Sequence, residues 1–85
     1  MVALVVSREA FRPDTLRGRK GDTLRVRVST TDGEHCLAVD ELRIEKRLLP
    51  DKPLLLELTP DRAGTFDVYC CLDPTDARGR LIVAD

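Results

Sequence analysis

GTFDVYCCLDPTDARGRLIV, residues 64–83, carries the pattern that decides the fold. Phe66, Val68 and Cys70 alternate with Asp67, Tyr69 and Cys71, the period-two rhythm of a strand with one apolar face. A turn built on Asp73-Pro74 follows, then Gly79 and a second apolar alternation at Leu81 and Val83. Two adjacent cysteines stand where the first strand gives way to the loop. Such a strand end can aim a side chain into a site that the loop closes.

Working outward, the same rhythm fills most of the chain. Val2, Leu4 and Val6 alternate with Ala3 and Val5. Leu24, Val26 and Val28 oppose Arg25 and Arg27, a half-buried strand with a charged outer face. Leu54, Leu56 and Leu58 oppose Leu55 and Glu57. Turn signals separate these runs at Pro13-Asp14, Gly21-Asp22, Asp32-Gly33, Pro50 to Pro53 and Pro60 to Gly64. Short strands at intervals of about ten residues predict an all-β sandwich or small barrel of seven to eight strands. Two stretches are open to helix: residues 40–49, whose spacing fits strand or helix, and residues 73–77, with Asp73 as N-cap and Pro74 in the first turn.

At 85 residues the chain reads as one domain, residues 1–85, with a modest core. The formal net charge is −1 with both signs interleaved, which argues against nucleic-acid binding. The aromatics are Phe11, Phe66 and Tyr69, too few for a base-stacking platform. No apolar run is long enough for a membrane span, and the opening MVALVV reads as a strand. Arginine outnumbers lysine, and asparagine and glutamine are absent, a composition that fits a thermophile or a GC-rich genome.

The chemistry is confined to one histidine, three cysteines and the carboxylates. Strand parity sorts them. His35 and Cys36 are neighbours, so in extended chain they point to opposite faces, as do Cys70 and Cys71. All four around one ion would require bulges. Two pairs are the simpler arrangement: Cys70, on the face of Phe66 and Val68, with His35, and Cys36 with Cys71 on the other side. Each residue also has a plainer reading. His35 fits a loop histidine bonded to a carbonyl, Cys70 a small buried hydrophobe, and Asp73 an N-cap. No nucleophile–base–orienter set is evident around the single histidine, so the chain is expected not to be an enzyme.

Several pieces in order resemble the cupredoxin family, the copper-binding Greek-key β-sandwiches of plastocyanin, azurin and the copper domain of cytochrome oxidase subunit II. They are Phe11-Arg12-Pro13 with Leu16, Lys20-Gly21-Asp22 before Leu24 to Val28, His35 after Asp32-Gly33-Glu34, Leu58-Thr59-Pro60-Asp61, Gly64, Phe66 and Tyr69 before Cys70, and Gly79 with Leu81 and Val83. The resemblance implies copper bound by His35 and Cys70, and an exported domain, periplasmic or extracellular-facing, that serves a redox or copper-delivery partner. It also implies that Cys36 and Cys71 lie side by side and form a disulfide, closing a loop of about 35 residues worth roughly 3–4 kcal/mol, the rival reading being two free thiols in a reducing compartment.

The departures from the family are as informative. A second histidine and a methionine normally follow the ligating cysteine, yet His35 is the only histidine and Met1 the only methionine. Asp73 stands nearest in their place and would supply a hard oxygen to copper(II). The expectation is therefore a variant copper module for electron transfer or copper handling. The competing expectation is a sandwich that has lost its metal and serves as an interaction module.

Overall fold

The computed structural model describes residues 2–73 and 78–85. The alternating runs become strands β1 (Val2–Val6), β2 (Phe11–Arg12), β3 (Thr15–Arg19), β4 (Leu24–Thr30), β5 (His35–Val39), β6 (Ile44–Leu48), β7 (Leu54–Leu58), β8 (Gly64–Cys70) and β9 (Arg78–Ala84). These form a four-stranded sheet in the order β2-β1-β4-β7 and a five-stranded sheet in the order β3-β9-β8-β5-β6. The architecture is the all-β sandwich that the periodicity predicts. Among the described residues the nine strands exceed the expected seven to eight because the segment between Phe11 and Arg19 contributes two short strands, β2 and β3.

Two pairings are parallel, β1 with β4 inside the four-stranded sheet and β3 with β9 inside the five-stranded sheet, and the chain between the members of each pair passes through the other sheet. All other pairings are antiparallel. Between the sheets lie Leu4, Val6, Val26, Val28, Leu37, Leu48, Phe66, Val68, Leu81 and Val83, all buried. These are the residues that share the apolar parity along each strand, so one face of each sheet is removed from water.

The ambiguous stretch 40–49 divides. Asp40–Leu42 forms a single 3-10 turn that ends on Arg43 in the left-handed region, at φ 56. The chain then runs back as β6 along β5, pairing Val39 with Ile44 through to His35 with Leu48. Sheet pairing supplies a hydrogen-bond partner along the whole segment, which an isolated short helix would not. The helical turn expected over residues 73–77 falls, beyond Asp73, outside the described residues. No helix among the described residues is long and apolar enough to cross a membrane.

Candidate metal centre

β5 and β8 are neighbours in the five-stranded sheet, in antiparallel register with Leu37 opposite Cys70 and Ala38 opposite Tyr69. That register brings the start of β5 to the end of β8, so His35 and Cys70 meet at one end of the sandwich. The imidazole Nδ1 of His35 lies 3.6 Å from the sulfur of Cys70. Both residues are buried, and they line a cleft with Asp32, Leu72 and Asp73.

Asp32 completes a chain of three. Its Oδ1 lies 2.6 Å from His35 Nε2. A carboxylate only accepts, so Nε2 carries the hydrogen and Nδ1 is turned toward Cys70. The other carboxylate oxygen accepts the backbone N–H of Arg8 at 2.9 Å. The turn that aims Asp32 depends on Gly33, whose φ of +124 is open to glycine and strained for other residues. Thr30 donates its hydroxyl to the Gly33 carbonyl at 2.7 Å and holds that turn to the end of β4.

The electrostatics lower the Cys70 thiol and raise the His35 ring. Burial pushes the Cys70 thiol up, but the backbone amide of Cys36, the His35 ring and the amides of Asp73 and Leu72 together bring it below its ordinary value. Burial pulls His35 down, but its hydrogen bonds to Asp32 and Cys70 outweigh that and leave it raised. Asp32 is lowered, first by the Arg8 amide and then by His35. The neighbouring amides and the ring thus favour the thiolate form of Cys70 over what burial alone would allow.

The sequence-predicted residues divide as parity requires. His35 and Cys70 share the cleft, and Asp73 lines it. Cys36 and Cys71 lie away from it, joined as a disulfide, with Cα atoms 5.0 Å apart and the Cys71 amide donating to the Cys36 carbonyl at 3.1 Å. Cys70 is the free cysteine. The residue that sequence reading missed is Asp32. Its place in the Asp32-Gly33 turn signals a turn, and its spacing of three from His35 was the available hint.

The donors suit copper in kind, since thiolate and imidazole are both among its ligands. They also suit it in spacing. With metal–sulfur and metal–nitrogen bonds of about 2.3 and 2.0 Å, a separation of 3.6 Å subtends about 110–115° at a shared ion. Asp32 behind the ring is the carboxylate that commonly orients a metal-binding histidine.

The family profile described as a cupredoxin-like domain matches residues 1–83. The chain belongs to this family. No curated protein matches it by sequence. Among solved structures, the metal-binding domain of the Cu(I)-exporting P-type ATPase CopA of Streptococcus pneumoniae D39, determined with Cu(I), superposes with a TM-score of 0.81 at 15% identity, over 99% of this chain and 84% of that one. Reduced auracyanin from Roseiflexus castenholzii gives 0.78 at 16%, over 99% and 96%. The periplasmic domain of cytochrome oxidase subunit II from Bradyrhizobium japonicum gives 0.71 at 16%, over 84% of this chain and 54% of that one. At these identities the likeness is one of fold. This cupredoxin-like domain thus keeps the family's sandwich while lacking the second histidine and the methionine after its cysteine.

Proposed function

We propose that this cupredoxin-like domain binds copper through the Cys70 thiolate and His35 Nδ1, with Asp73 as the neighbouring oxygen donor. It works as an electron-transfer or copper-handling module, a carrier and not a catalyst. The observation that carries this reading is the 3.6 Å approach of Cys70 Sγ to His35 Nδ1 in an open cleft. Bound copper would supply a one-electron couple or a transferable ion. The protein's part is to hold the imidazole through Asp32, stabilise the thiolate with backbone amides, and keep both donors on rigid strand ends. An oxygen donor in place of a second histidine favours the oxidised ion and lowers the reduction potential. The copper-binding and periplasmic neighbours support a redox or copper-delivery partner and a periplasmic or extracellular-facing location.

Titrating reduced, metal-free protein with copper(II) tests the reading. One equivalent should bind with a coloured thiolate-to-copper band that is absent in Cys70→Ala. A colourless protein without stoichiometric copper overturns it.

A second reading has an observation of its own: the Asp32–His35–Cys70 chain satisfies its hydrogen bonds without an ion. On that reading the domain has lost its metal and serves as an interaction module. Protein purified without chelators would then hold no copper and melt identically with and without EDTA.

A further inference from the structure

The face of the five-stranded sheet turned away from the core carries a second cluster. Glu45 on β6 pairs with Ala38 on β5. It therefore stands diagonal to Cys36 on the same face, within reach of a long side chain. One carboxylate oxygen of Glu45 and the sulfurs of Cys36 and Cys71 all lie within 4.8 Å of one another. We infer that reduction of the Cys36–Cys71 disulfide turns this staple into a zinc site with two thiolates and one carboxylate.

The geometry is held by groups other than the sulfur–sulfur bond. β5 and β6 pair along their length, and the Cys71 amide donates to the Cys36 carbonyl at 3.1 Å. Both sulfurs thus stay on one patch when the bond opens. Around a tetrahedral zinc ion, sulfurs stand about 3.8 Å apart and sulfur stands about 3.5 Å from a carboxylate oxygen. Opening the disulfide lets the two sulfurs part toward that spacing, and the Glu45 oxygen already stands within 4.8 Å of both. Arg47, the cation directly opposite Cys36, is drawn to Glu34 at 3.3 Å. Cys36 is buried, Cys71 half-buried and Glu45 exposed, so the third ligand side faces water, which supplies the fourth position. The carboxylate selects zinc over a cuprous ion, for which oxygen is a poor donor.

The chemistry balances with a dithiol reductant. It gives two electrons and two protons, becoming a disulfide as the Cys36–Cys71 bond breaks into two thiols. Zinc then displaces both thiol protons to solvent. The domain would be stapled where its surroundings oxidise and metal-bound where they reduce. This inference is independent of copper at His35 and Cys70.

Zinc uptake measured by competition with a chromophoric chelator tests it, using wild type and Cys70→Ala, each oxidised or reduced by a phosphine that is then removed. Reduced protein should bind one more zinc per chain than oxidised protein in both backgrounds. In reduced Cys70→Ala, adding Glu45→Gln should weaken binding about tenfold or more. Equal uptake by oxidised and reduced wild type overturns the inference without recourse to a variant. Unchanged affinity with Glu45→Gln, in protein whose circular dichroism matches the parent, overturns the carboxylate's part in it.

Discussion

Asp32 sets the behaviour of the only histidine. Its carboxylate accepts from Nε2 at 2.6 Å and so raises the pH at which the ring loses its proton. A raised folded-state value means that proton binding by His35 stabilises the fold fully below about pH 6.5, the ordinary imidazole value, and that this stability is lost as pH rises through the folded value. In metal-free protein, Asp32→Asn should therefore lower the His35 titration midpoint, read from its single imidazole NMR signal. The stability gap between variant and wild type should be widest in mildly acidic urea titrations and narrow toward alkaline pH. An unmoved midpoint contradicts the role given to Asp32. Strand parity sorts Cys70 and His35 onto one face provided their two segments lie side by side, because the alternation of side chains is a local property of extended chain; that adjacency came from the family resemblance. Asp32 was not legible in this way. Its reach back to the ring depends on the left-handed backbone at Gly33, a tertiary detail that residue spacing does not encode.

β9 closes the sandwich by threading between β3 and β8, and Gly79 is closely packed within it. A Cβ there would stand 2.9 Å from the Asp14 carbonyl and 3.0 Å from the Phe11 ring. The neighbouring Arg80 amide donates to that same carbonyl at 2.8 Å, so the backbone has little room to withdraw. Gly79→Ala should cost about 1–3 kcal/mol by overpacking, seen as a lower denaturant midpoint with an unchanged slope. Wild-type stability in that variant would contradict the close packing. The strands with sustained alternation, β1, β4, β7, β8 and β9, were legible because each buries one face. β6 was not: its burial is confined mainly to Leu48, and Ile44 is only partly covered. Its identity comes from pairing with β5 across the Arg43 turn, a non-local cause.

The whole molecule rests on a core of modest size, so the covalent tie between β5 and the end of β8 matters to it. The disulfide spans a sequence separation of 35. Replacing Cys36 and Cys71 together by alanine should cost about 3–4 kcal/mol on the chain-entropy account. That is a large share of the roughly 5–15 kcal/mol typical of a domain. The loss should appear in urea melts of oxidised protein and be absent when both proteins are compared under reductant. Equal stability of the oxidised pair would show that the tie constrains little. The sandwich and the assignment of partners to faces were legible at this scale because order and spacing of strands and turns constrain topology. The ligand set of the cleft was not, since two donors of the usual set are missing from the chain and Asp73 fits both a ligand and a cap. The most direct test is X-ray absorption at the copper edge of protein loaded with one equivalent. Copper held by Cys70 and His35 should show one sulfur and at least one nitrogen in the first coordination shell, with the sulfur lost in Cys70→Ala. A shell of nitrogen and oxygen alone would contradict it.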